Sequence, residues 1–134
     1  MIAETDILIR IISAALLGGL VGIEREISKE PAGIRTHMLV SVGSAAFTIM
    51  SITFSPTDTV RIAAGIVTGI GFLGAGAIFR DSEGVKGLTT AADLWCSAGI
   101  GMACGMAFFF LGGAVAALTL LILAIKRLIK RFKG

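Results

Sequence analysis

RIAAGIVTGIGFLGAGAIFRDSEGVKGLTTAADLW, residues 61–95, is the stretch on which the fold turns. Between Arg61 and Arg80 lie eighteen uncharged residues, among them Gly65, Gly69, Gly71, Gly74 and Gly76. In water each glycine would cost a helix about 1 kcal/mol relative to alanine. In lipid the backbone has no other hydrogen-bond partner, so a spanning segment stays helical, and its glycines become places where another helix can come close. A polar hinge, RDSEGVKG, follows and ends at Gly87. TTAADLW then carries an acid, Asp93, back into apolar sequence, where ionisable side chains are costly and by default mark a functional site.

Composition points the same way. Of the 134 residues 55% are hydrophobic and 16% charged, with a mean hydropathy of +0.93. Soluble domains are about one quarter charged. These values and the long uncharged runs argue for an integral membrane protein and against a soluble helical bundle. The net charge is +3, and five of the twelve basic residues fall in the last nine positions, KRLIKRFKG. Because that tail follows an apolar run, it reads as a juxtamembrane segment on anionic lipid rather than a nucleic-acid arm, with an acidic partner as the rival. Cys96 and Cys104 lie about 12 Å apart along one helix, too far for a mutual disulfide. They have no metal-ligand spacing and read as buried small apolar residues. The opening residues lack the basic region of a secretory signal, so the first apolar run is expected to be retained.

The chain reads as an all-α membrane domain of about five spans over residues 1–125, followed by a basic cytoplasmic tail over 126–134. Span one covers about Ile7–Ile23, with Ala14, Gly18 and Gly22 as a small-residue stripe and Arg10 reaching back toward Glu4 and Asp6 at the interface. Pro31 breaks the first loop. Span two covers about Met38–Phe54 and span three about Ile62–Phe79. From Leu94 to Ile125 there are thirty-two uncharged residues, too many for one span and few for two. A start near Thr89 and a turn within Gly105–Gly113 make room for spans four and five, the alternative being four spans and a re-entrant segment. Loop one carries Arg25, Lys29 and Arg35, the hinge carries Arg80 and Lys86, and the tail carries five cations. The positive-inside rule then puts the N-terminus outside and the C-terminus in the cytoplasm.

Topology alone brings Glu24, Arg25, Arg35, Arg80 and Asp93 into one layer at the cytoplasmic face, the expected functional charge layer. Asp93 shares a helix face with Ser97, Gly101 and Gly105, which should point inward. Arg80 and Arg35 are its expected ion-pair partners. A carboxylate flanked by arginines makes a poor Mg²⁺ site, because that ion needs oxygen ligands and is repelled by nearby cations. His37 reads as a hydrogen-bonding residue at a helix start rather than a metal ligand, with a pH response left open. Trp95 reads as an interfacial anchor, or as part of a docking face for a small membrane partner. Gly69-Ile70-Gly71-Phe72-Leu73-Gly74 satisfies the GxGxxG pattern, but no strand precedes it, so helix packing is the better account.

Three segments resemble the MgtC/SapB family of bacterial inner-membrane proteins: GIEREISKEPAGIRTHMLVSVG (from Gly22), GIGFLGAGAIFR (from Gly69) and GLTTAADLWCSAGIGMACG (from Gly87). Their motif and packing positions include Gly33 and Thr36 in the first segment and Gly71, Gly74 and Gly76 in the second. In the third they are Gly87, Thr89, Thr90, Trp95, Gly101 and Gly105. The resemblance implies a polytopic helical domain in the bacterial inner membrane, linked to growth at low magnesium, to virulence in pathogens and to membrane energetics. It also implies a membrane partner such as the ATP synthase or a small membrane peptide. Many members carry an ACT-like domain after the last span, so this sequence reads as the transmembrane part alone. Asp93 stands where relatives often have Thr or Ser.

No catalytic constellation, phosphate loop or metal cluster stands out, and no enzyme activity, metal or cofactor is expected. Three functions remain open: a regulatory protein acting through helix contacts; a small ion transporter or channel for Mg²⁺ or protons that uses the charge layer; and a structural module whose charges lock the bundle. The glycine stripes on spans one, three and four further suggest a homodimer.

Overall fold

In the computed structural model, which describes residues 2–132, the chain forms five helices and one hairpin. They are α1 (Glu4–Ile27), α2 (Ile34–Phe54), α3 (Thr59–Ala77), β1 (Phe79–Asp81), β2 (Gly84–Lys86), α4 (Leu88–Gly105) and α5 (Phe109–Phe132). The long run from Leu94 to Ile125 is therefore two helices. They part at Met106–Phe108, where Phe108 N–H reaches back to Ala103 O (2.8 Å) and Ala107 takes the left-handed conformation, φ 62°. This 6→1 closure consumes a carbonyl that the end of α4 would otherwise leave open. Helices α1, α2 and α3 are each long and apolar enough to cross a membrane, and Phe109–Ile125 is a shorter apolar helical stretch. The backbone of α5 continues unbroken to Phe132. The last two tail residues, 133 and 134, lie outside the described residues.

The expected polar hinge is an antiparallel hairpin, with Phe79 opposite Lys86 and Asp81 opposite Gly84. Asp81 Oδ1 accepts the Glu83 N–H (2.8 Å), and Lys86 Nζ bridges Asp81 (2.6 Å) and Glu83 (2.7 Å) across the turn. The Lys86 ammonium, then the turn amides, hold the Asp81 carboxyl below its usual 3.8. Asp81 and Glu83 in turn raise Lys86 above 10.5. The Asp81 contribution is present above its unfolded value and fades as pH falls through its lower folded one. The Lys86 contribution is present below its unfolded value and fades as pH rises through its higher folded one. Protection of the Lys86 amide, which the register pairs with Phe79, is therefore expected, after correction for intrinsic exchange, to stay flat from about pH 5 to about pH 9. A drop inside that window would show that the hairpin rests on something else.

α4 is the central helix and packs against all four others. Its buried face includes Asp93, Ser97, Gly101 and Gly105. Gly18 and Gly22 of α1 are buried against α2: a methyl on Gly22 would lie 2.5 Å from Ile34 Cα. On α4, a methyl on Gly101 would overlap the Ser41 backbone, and one on Gly105 would lie 2.8 Å from both Ala45 O and Thr48 Cβ. Ser41 Oγ–H donates to Ser97 O (2.9 Å) across the same contact. The apolar core around this seam is small-featured, with Ala14, Val21, Ala45, Ile100, Cys104 and Ala116.

α3 behaves differently. Only Ile70 and Gly74 are buried on it, and Gly74 faces Ala91 of α4 at ordinary contact distance. Gly65, Gly69, Gly71 and Gly76 meet no other atom. Within one chain, the glycines of α1 and Gly101 and Gly105 of α4 are used for close packing, while those of α3 are almost all left open.

Candidate functional site

Three helix ends build the site. The last turn of α1 supplies Glu24 and Arg25, the first turn of α2 supplies His37, and the first two turns of α4 supply Thr90 and Asp93. Arg25 is 1% exposed, His37 0%, Asp93 3% and Glu24 9%. Four ionisable groups this deep persist only when paired.

Local backbone chemistry sets the geometry. α1 closes with Glu30 N–H bonded to Arg25 O (3.0 Å) and Lys29 in the left-handed region, φ 57°. That turn brings the Glu30 carboxylate back to 3.8 Å from Arg25 Nη1. Glu26 Oε2 accepts the Ile34 N–H (3.0 Å) and so caps the next helix. A methyl on Gly33 would displace the Glu26 carboxylate from this position. Four residues on, His37 Nδ1–H donates to Gly33 O (2.9 Å), which orients the ring so that Nε2 lies 3.0 Å from Asp93 Oδ1.

The hydrogen-bond inventory constrains this pair. A carbonyl only accepts, so Nδ1 carries its proton toward Gly33. Nε2 then faces a carboxylate, and one further proton must sit between the two, as imidazolium–carboxylate or as imidazole–carboxylic acid. Arg25 completes the cluster: its Nε donates to Glu24 Oε2 (2.6 Å) and stands 3.6 Å from Asp93 Oδ2, while Ser28 Oγ–H donates to Glu24 Oε1 (2.8 Å). Among the described residues, Asp93 Oδ2, Thr90 Oγ1 and Ser97 Oγ are buried with no hydrogen bond.

Two expected partners of Asp93 are corrected. Arg35 is exposed and makes no pair with Asp93. It is two residues from His37, about 200° around the helix, so α2 can present only one of them to α4, and it presents His37. Arg80 is also exposed, because α3 stops at Ala77 and β1 carries Arg80 into the hairpin opposite Val85. The layer that forms is Glu24, Arg25, Glu30, His37 and Asp93. His37 is the only histidine in the chain. Its place at the start of span two, at the same face as Asp93, was the available signal. Glu30 carried none, since its approach depends on the left-handed Lys29.

The remaining motif residues scatter. Thr36 is half-buried, Thr89 is exposed, and Trp95 is 55% exposed on the outer face of α4. At the other end of the bundle, Arg10 Nη1–H donates to Gly105 O (2.7 Å) and Nη2 pairs with Asp6 (3.3 Å), which puts a cation on the C-terminus of α4. Among the described residues, no three His, Cys, Asp or Glu side chains converge as a metal-binding group.

A largely helical chain, with three helices long and apolar enough to cross a membrane and a buried charge cluster closing one end of the bundle, is the class this fold and site define. The chain belongs to the MgtC family, whose pattern it matches over residues 11–132. It is 53% identical over 102 residues to the MgtC protein of Salmonella typhimurium, covering 76% of this chain and 44% of the relative. It is 47% identical over 118 residues to the MgtC protein of Brucella abortus, covering 87% of this chain and 48% of the relative. The chain thus spans less than half the length of the curated relatives it matches. No solved structure matches it.

Proposed function

We propose that this chain is a regulatory integral membrane protein that acts by contact with another membrane component and does not itself conduct ions. In this reading all five helices lie in the bacterial inner membrane, with the N-terminus outside and the C-terminus in the cytoplasm. The charge cluster then locks the cytoplasmic end of α1, α2 and α4. The adaptation to low magnesium and the link to membrane energetics implied by the family resemblance are the processes it would serve.

One observation carries the reading. From the charge cluster to the far end of α4 the three helices meet at glycines, with Gly18, Gly22, Gly101 and Gly105 set against α2 so closely that even a methyl is excluded. A hydrated path from the cluster through the bundle needs space along that seam. Two of the hydroxyls there are also turned onto backbone, Ser41 to Ser97 O and Thr48 to Ser44 O. The open glycines of α3 are the surface this reading assigns to contact, either with a second copy or with another membrane helix.

The test is ion flux into sealed proteoliposomes under an imposed gradient and potential, read with Mg²⁺- and pH-sensitive dyes. Flux is expected to match protein-free vesicles. Flux that Asp93→Asn abolishes in a folded variant would instead establish a transporter with its site in the charge cluster.

A further inference from the structure

α3 leans on α4, where Gly74 meets Ala91, and stands off from α2. The gap between α2 and α3 is an apolar cleft of about 590 Å³. Val40 and Phe47 of α2 and Ile66 and Leu73 of α3 are among its walls. Gly43, Gly65 and Gly69 also line it, and a methyl on any of the three would meet nothing within 4 Å. At one end stands Arg61, exposed in the first turn of α3. Its Nε pairs with Asp58 Oδ2 (2.8 Å), and four of the five N–H donors of a guanidinium lie on the other two nitrogens.

Size and charge select the occupant. From Arg61 to Leu73 the cleft runs about 18 Å along α3, close to half of a hydrocarbon core about 30 Å thick. A helix of that length and about 10 Å diameter fills roughly 1400 Å³, so it could only lie across the mouth. A hydrocarbon tail is narrow enough to enter, and without one the walls lose dispersion contacts on that side. Arg61 then stands at the depth of the lipid head, where a guanidinium suits phosphate and the first turn of a helix favours an anion. We propose that the α2–α3 cleft holds one glycerophospholipid, with a tail along Gly43, Gly65 and Gly69 and its phosphate on Arg61. The proposal rests on the membrane placement of α2 and α3 but not on the regulatory reading, so the flux result leaves it untouched. It leaves Gly71 and Gly76 as the α3 glycines open to a protein contact.

The experiment is native mass spectrometry of the detergent-purified chain with dioleoylphosphatidylethanolamine, dioleoylglycerol or glycerol phosphate added at equal concentrations. The first has no net charge to draw it to the basic tail, the second keeps the tails without the phosphate, and the third keeps the phosphate without the tails. Phosphatidylethanolamine adducts are expected to exceed the other two several-fold. Gly69→Leu, which fills the cleft, and Arg61→Gln, at an exposed site, should each cut that adduct at least threefold. Gly71→Leu, two residues on and about 200° around the helix, should not. Retention of dioleoylglycerol at the level of the phospholipid, or parental retention by Gly69→Leu or by Arg61→Gln, would overturn the proposal. So would a dimer that Gly69→Leu splits, which would assign the cleft to a second copy.

Discussion

Arg25→Met is expected to destabilise the fold by about 3–5 kcal/mol, the usual cost of removing one partner from a buried ion pair. The Arg25 guanidinium faces Glu24, Glu30 and Asp93 at once. Methionine keeps much of the stem volume but removes the guanidinium that faces the Glu24 and Asp93 carboxylates, which are 9% and 3% exposed. Asp93→Leu alone should also be costly, because it strands the His37 Nε2 and takes from Arg25 one of its three carboxylates. The double variant Arg25→Met/Asp93→Leu should recover part of the loss, since an apolar replacement of a whole buried pair is often neutral or better. Reversible unfolding in mixed detergent–SDS micelles measures all three. A loss below about 1 kcal/mol for Arg25→Met would mean that water reaches the cluster and that it does not lock the helix ends.

Gly101→Ala and Gly99→Ala, two residues apart on one helix, should have opposite signs. At Gly101 the new methyl would overlap the Ser41 carbonyl and lie 2.8 Å from its carbon and 2.9 Å from its Cα. Backbone cannot rotate away as a side chain can, so α2 and α4 must separate, and the Ser41–Ser97 hydrogen bond goes with the contact. Overpacking of this kind costs about 1–3 kcal/mol, and more where backbone must shift. At Gly99 nothing lies within 4 Å of the methyl, and alanine is the better helix former by up to about 1 kcal/mol. The same unfolding assay separates them. Equal losses at both positions would show that helix propensity, not the α2–α4 contact, sets the value of these glycines.

Much of the architecture was readable before any coordinates. Helix lengths follow from uncharged runs bounded by charges, and the division of the last run near Gly105 follows from its length against bilayer thickness. The depth of Asp93 and its common face with Ser97, Gly101 and Gly105 follow from helical periodicity. What periodicity cannot supply is rotation between helices. Arg35 and His37 sit at nearly the same depth on opposite sides of α2, and only the packing of α2 on α1 and α4 selects the histidine. The hinge was misread for a related reason: a strand pair of three residues each has too few side chains to print an alternating pattern, and its register rests on the Asp81–Lys86 bridge.

By itself, then, the sequence determined the helices of this chain, their apolar character and the helix ends at which its charges collect, because each depends on local hydropathy and on one-dimensional spacing. Only the tertiary structure decided which charges meet and which glycines are used. Arg25 rather than Arg80 reaches Asp93 because α3 ends at Ala77 and the hairpin turns its next residues outward. Gly101 touches backbone while Gly65 and Gly69 touch nothing because α4 is enclosed by four helices and α3 meets them along a single line. These are contacts between residues far apart in the chain, chosen by how helices rotate against one another, and no run of adjacent residues encodes that choice.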